Sequence, residues 1–201
     1  AGLAGATGEP AFSVWLRDWS VEQVGPDQYR LRAAEDDIAL DLTMLDFKGN
    51  ILQGEQGYSR KGPEIGNASI YYSQPRLQST GTVTIAKQTY EVNGLSWLDR
   101  EFSTSALSEG QVGWDWFSLQ LDDNSELMMY ALRRSDGSID MFSKGIYIAP
   151  DGSTRLLQRE DFSITPTGKW TSPHSGWLYA SPAATKTTVV GLDLQIEILL
   201  K

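Results

Sequence analysis

The 201-residue chain contains no cysteine. Disulfides, thiolate metal centres and cysteine nucleophiles are therefore excluded together, although both reducing and oxidising compartments tolerate such a chain. It has a single histidine, His174, in SPHSG. A multi-histidine zinc site is excluded. A Ser-His-Asp triad would have to use His174, and nothing resembling GxSxG precedes it. Basic charge is scarce as well. Seventeen Lys and Arg are scattered among 26 Asp and Glu, for a net charge of −9. Such a surface repels phosphate backbones and shows no basic stripe, which argues against nucleic-acid binding. Apolar runs are only a few residues long, so no segment reads as a membrane span. Helical signals are weak, SVEQV (20–24) being too short to sustain a helix. The N-terminal AGLAGATGEP lacks the basic-then-apolar order of a signal peptide.

What is present is β pattern. FSVWLRDW (12–19) alternates large apolar and polar residues. DIALDLTML (37–45) puts Ile38, Leu40 and Leu42 on one face and Asp41 and Thr43 on the other. GLDLQIEILL (191–200) repeats the device with Leu192, Leu194, Ile196 and Ile198 against Asp193, Gln195 and Glu197. Period two is the mark of half-buried antiparallel strands. TGTVTI, QTYEVNGL, WFSLQLDD, ELMMYALRR and SIDMFSKGIYIA continue it. Asp136-Gly137, Asp151-Gly152 and Asp122–Ser125 supply turn chemistry between these runs. Strands of about ten residues joined by short turns predict an up-and-down barrel or meander. LQGEQGYSRKGPEIGNASIYYS (52–73) breaks the pattern and reads as a long functional loop whose tyrosines favour packing. ALSEGQV (106–112) reads as a linker between a first unit, residues 10–106, and a second, residues 113–201. Asn67-Ala68-Ser69 is formally a glycosylation sequon.

The chemistry concentrates in WLDREF (97–102) and GWDWF (113–117). On a strand, Trp97, Asp99 and Glu101 share one face, with the carboxylates ~6.6 Å apart. Leu98, Arg100 and Phe102 share the other. If the acidic face points inward, burial and mutual repulsion favour one protonated acid, able to donate a proton. If Arg100 points inward, it can clamp a carboxylate ligand or neutralise a buried acid. Trp114 and Trp116 share a face with Ser118 and Gln120, and their indoles would suit an unsaturated ligand or a passing carbocation. Against this stands the structural reading: tryptophans as wall residues, Asp99 or Glu101 paired with Arg100, Tyr130 in the core, and Met128 and Met129 as gap fillers.

GYSRKGPEIGNASIYYSQPRLQSTGTV, GLSWLDREF, GWDWFSLQLDDNSELMMYALRRSDGS and DFSITPTGKWTSPHSG, in that order, resemble the AttH and carotenoid 1,2-hydratase (CrtC) family along nearly the whole chain. The resemblance implies an all-β fold of antiparallel lipocalin-like barrels. Family members run well over 300 residues, so it further implies the later half of one barrel followed by the early half of a second. The expectation is a fragment or a short form whose open edges, at DLTML and LQIEILL, invite a homo-oligomer or a domain swap. A secreted, periplasmic or envelope location is implied in the same way. The family motif usually reads W-M-D-H-E-W, with the His and Trp as its acid/base and cation-stabilising pair. Here Arg100 and Phe102 occupy those positions. Arginine cannot shuttle a proton near neutral pH, so hydratase chemistry in this chain needs Asp99 or Glu101 as the acid.

Two functions follow. In the first, a hydrophobic unsaturated small molecule, isoprenoid or lipid-like, is hydrated or isomerised by acid catalysis without metal or organic cofactor. Asp99, Glu101 and Arg100 are then the catalytic candidates, and Trp97, Phe102, Trp114, Trp116 and Tyr130 bind the ligand. In the second, the chain is a non-catalytic carrier or envelope binding module for hydrophobic ligands. Carbohydrate recognition on exposed indoles is a weaker third option, and an inactive fragment a fourth.

Overall fold

Short turns, several with a residue at positive φ, organise the strands that the alternation predicts. A computed structural model describes residues 2–104, 107–166, 168–176, 178–180, 185–192 and 194–198. Among them there is no α-helix, and one 3-10 turn at Arg159–Asp161. In chain order the strands are β1 (Ala4–Thr7), β2 (Ser13–Leu16), β3 (Trp19–Gly25), β4 (Gln28–Glu35), β5 (Ile38–Asp46), β6 (Ile51–Leu52), β7 (Tyr58–Arg60), β8 (Ala68–Ile85), β9 (Gln88–Ser103), β10 (Gln111–Gln120), β11 (Glu126–Arg134), β12 (Lys144–Ile148), β13 (Thr154–Leu157), β14 (Phe162–Pro166), β15 (Lys169–Thr171), β16 (Leu178–Ala180), β17 (Thr185–Val189) and β18 (Leu194–Ile198). They fall into two compact units, one of Ala1–Leu52 with Tyr71–Glu101, the other of Gln53–Ile70 with Phe102–Lys201.

In the first unit β1 to β5 form an antiparallel meander and β8 continues it beside β5. FSVWLRDW is not one strand. Arg17, at φ 53°, turns the chain between Leu16 and Trp19, which face each other across a hairpin. SVEQV lies in β3. The alternation expected of DIALDLTML holds: Leu40, Leu42 and Met44 face a cavity. On the other face Asp41 takes a two-pronged bond from Arg30 on β4, Nε to Oδ1 at 2.9 Å and Nη2 to Oδ2 at 2.7 Å. Those bonds to Arg30 hold the Asp41 carboxyl below its ordinary range. The expected open edge at DLTML does not exist, because β5 is hydrogen-bonded to β4 on one side and to β8 on the other. Gly81 makes this closeness possible. It has φ +146°, and a Cβ there would sit 2.1 Å from the Asp41 carbonyl oxygen.

In the second unit β10 to β13 form a four-stranded antiparallel sheet. Residues Glu126–Leu132 of β11 are buried on both faces, so the strand reads as a continuous apolar run. On one face Leu127 and Met129 join Leu157, Phe162 and Val189 in a core closed by Phe117, Leu119 and Tyr147. The Asp122–Ser125 turn forms as expected: Asn124 has φ 64°, and Asp123 Oδ1 accepts from the Ser125 N–H and hydroxyl. SIDMFSKGIYIA becomes a strand only from Lys144. Residues 139–143 are bent instead by Asp140, which accepts from the Phe142 N–H at 3.0 Å and from Arg134 at 2.7 Å. The 52–73 stretch holds β6, β7 and the start of β8 between turns at Gly54, Gln56, Gly57 and Gly66. Asn67 of the sequon is buried, and its amide donates to Ser108 and to Glu64. The sheet β14-β17-β18 and the pair β15-β16 complete the unit. Of the alternation expected of GLDLQIEILL, Leu192 packs against the core, and the side chains from residue 193 onward lie outside the described residues.

Candidate functional site

Alternation on three neighbouring strands of the first unit, β3, β4 and β5, builds one apolar surface. Val21 of β3, Tyr29 and Leu31 of β4, and Leu40, Leu42 and Met44 of β5 line a cavity of about 420 Å³. That volume lies in the range of small-ligand pockets. Phe12 and Leu77 add to its wall. On β8 the lining runs Tyr72, Gln74, Leu77, so it changes parity across Pro75. On β9 it runs Ser96, Leu98, Arg100, with Trp97 at the border. Of the two orientations open for WLDREF, the structure therefore adopts the one with Arg100 toward the cavity.

The Arg100 guanidinium lies over the Phe12 ring, 5.1 Å from its centroid. Phe12 in turn meets Tyr29 edge-on, with ring centroids 6.5 Å apart. Among the described residues no carboxylate pairs with Arg100. A second polar group enters through a relay. The buried Asp46 carboxylate accepts from the backbone N–H of Lys48 and Gly49 on Oδ1, and from Gln74 Nε2 at 2.7 Å on Oδ2. Gln74 Nε2 also reaches the Tyr29 hydroxyl oxygen at 3.3 Å.

Asp99 lies on the other face of β9, where three donors meet its Oδ1. They are the Tyr71 hydroxyl at 3.1 Å, the Trp97 indole N–H at 3.0 Å, and the Ser73 hydroxyl. Trp97 and Asp99 therefore meet in a direct bond along the strand, while Trp97 is also among the residues lining the cavity. Glu101, next on that face, is exposed.

The remaining candidates belong to the second unit. Phe102 is exposed. Trp114 and Trp116 stand 58% and 41% exposed on one face of β10, while Asp115, Phe117 and Leu119 turn the other way, Phe117 and Leu119 packing on the core. Asp115 meets Arg133 at 3.6 Å. Tyr130 is buried, with its hydroxyl 3.1 Å from Ser59 Oγ and Lys61 Nζ 3.8 Å from its ring centroid. His174 is exposed in a turn. Among the described residues no group of three or more His, Asp or Glu could hold a metal ion, and no helix is long and apolar enough to cross a membrane.

Sequence reasoning missed Phe12, Tyr29, Asp46 and Gln74. The available signal was weak: Tyr29 falls in phase with Leu31 along QYRL, and Gln74 precedes the proline in YYSQP.

An AttH-like family model matches residues 1–201. Among solved structures, an AttH protein from Nitrosomonas europaea superposes with a TM-score of 0.79 at 36% identity, the match covering 88% of this chain and 54% of that one. Kievitone hydratase from Nectria haematococca superposes with a TM-score of 0.65 at 15% identity, covering 89% of this chain and 54% of that one. This chain therefore spans about half the length of the solved structures it matches. A search of curated protein sequences finds no match.

Proposed function

The chain belongs to the AttH-like family, with the lipocalin-like antiparallel fold of its solved neighbours, and from that premise we propose that it binds a hydrophobic small molecule in the cavity of its first unit. The carrying observation is the lining itself: aliphatic and aromatic side chains from β3, β4, β5, β8 and β9 surround about 420 Å³, with Asn50, Gln74, Ser96 and Arg100 as the polar side chains among them. Burying an apolar ligand there gains roughly 25 cal/mol for each Å² removed from water. Trp97 at the cavity border provides an optical reporter. Titration of the purified chain with farnesol, an unsaturated isoprenoid alcohol, should quench or shift tryptophan emission saturably. Fluorescence that ignores farnesol, together with calorimetry showing no heat of binding, would overturn the reading.

A second reading, hydration or isomerisation of a double bond, is favoured by the fold likeness to a protein named as a hydratase. Asp99 and Glu101, on the face of β9 opposite Leu98 and Arg100, are the acids that would supply the proton to a double bond reaching that face, since Arg100 cannot. Trp97, bonded to Asp99 and among the residues lining the cavity, would face the developing cation. The test is product formation. A bound isoprenoid should gain one water or move a double bond, and Asp99→Asn or Glu101→Gln should abolish this. Full turnover in both variants would remove the acid role.

A further inference from the structure

We propose that the ligand of the first-unit cavity is an amphipathic monocarboxylate, its chain on the aliphatic wall and its carboxylate held between Arg100 and Tyr29. The inference rests on the reading that this cavity takes a hydrophobic ligand, and adds the chemistry of the ligand's head.

A guanidinium beside a largely apolar wall is costly unless an anion meets it. Here Arg100 lines the cavity and stacks on Phe12, yet no carboxylate among the described residues pairs with it. Its planar donor fork suits the two oxygens of a carboxylate.

The relay fixes the second donor. Asp46 carboxylate can only accept, so Gln74 must present its amide nitrogen to Oδ2. The same nitrogen is directed at the Tyr29 hydroxyl oxygen, which therefore accepts. The Tyr29 proton points elsewhere, and no acceptor among the described residues takes it. Arg100 and Tyr29 pack on the same Phe12 ring, 5.1 and 6.5 Å from its centroid to Cζ and to the ring centroid respectively. Two donors thus pack on one aromatic anchor, and neither is matched by an acceptor among the described residues. A singly charged head fits one cation and one hydroxyl. A phosphate carries more charge than Arg100, the one cation in the lining, can offset, and a chain of net charge −9 repels it further.

The test is calorimetric titration of the full chain with laurate, dodecanol and dodecyl phosphate, three heads on one alkyl tail, beside farnesol. Laurate should bind at least about tenfold tighter than dodecanol. Arg100→Met should erase that difference within the one variant. Tyr29→Phe should weaken laurate by about three- to tenfold and serves as the second variant if Arg100→Met does not fold by circular dichroism. Equal affinity for laurate and dodecanol, or an Arg100→Met protein that keeps the preference, would overturn the carboxylate assignment while leaving the hydrophobic cavity intact. Tighter binding of dodecyl phosphate than of laurate would also overturn it. Failure of laurate, dodecanol and farnesol alike would remove the cavity reading together with this one.

Discussion

Trp97 donates its indole N–H to Oδ1 of Asp99 at 3.0 Å, two residues further along the same strand. Tyr71 and Ser73 of β8 donate to that same oxygen. One carboxylate thereby ties β9 to β8 on the face away from the cavity, while Leu98 and Arg100 face the ligand space.

Removing the shared acceptor should therefore show as lost stability. Asp99→Ala is expected to cost about 2 kcal/mol, because three donors lose one acceptor. Asp99→Asn keeps a carbonyl oxygen and should recover most of it. Urea melts of the two variants measure the difference, and equal midpoints for Ala and wild type would contradict the tether.

Ligand response should follow the indole at the cavity border. Trp97→Phe is expected to remove most of the farnesol-dependent change in emission. Trp114→Phe should leave it nearly unchanged, since that ring stands 58% exposed on β10. The opposite pattern would move the ligand to the second unit.

Gly81→Ala should destabilise the first unit by about 3 kcal/mol. Its φ of +146° disfavours a side chain, and the added Cβ would press on the Asp41 carbonyl oxygen at 2.1 Å. Neither strand backbone can yield without breaking the β5–β8 pairing. A thermal midpoint within about 2 °C of wild type would contradict this.

Acid should weaken the second unit partly through Asp140. Burial pushes its carboxyl up, but the Phe142 N–H, the Arg134 guanidinium and the Gln111 amide together hold it below the ordinary carboxylate range. A carboxyl depressed in the fold contributes stability that is complete above its unfolded value, near pH 4, and is lost as pH falls through the lower folded value. Asp140→Asn should be about 1–2 kcal/mol less stable at pH 7 and should show a flatter loss below pH 4. Parallel acid limbs in urea melts across pH 2–7 would contradict it.

Much of the architecture was legible in residue order because β pattern is local. DIALDLTML announced both its faces, and Leu40 and Leu42 do turn inward while Asp41 turns out. The same logic failed where one residue reversed the chain. Nothing in FSVWLRDW marks Arg17 for positive φ. The 139–143 segment was read as strand because its bend depends on Asp140 capturing Phe142 N–H and Arg134. In the site, WLDREF was recognisable as the strand that matters, and its two faces were separable by alternation. Which face looks inward was not, since each mixes an aromatic with charge: Trp97 with Asp99 and Glu101 on one, Leu98 and Phe102 with Arg100 on the other. Phe12, Tyr29, Asp46 and Gln74 left only a weak signal because the contacts that bring them together, Phe12 with Tyr29 and Arg100 and Gln74 with Asp46 and Tyr29, join distant segments.

By itself the sequence determined period-two strands, an acidic surface, the exclusion of thiol chemistry, and the family, because these depend on residue type and short spacing. Only the tertiary structure decided that β5 lies inside a sheet, that Asp99 braces the wall while Arg100 lines it, and that Tyr29 is oriented through Gln74 by Asp46. Those outcomes depend on which strands pair and at what register, and hydrogen-bond direction is settled only when donor and acceptor from distant segments meet.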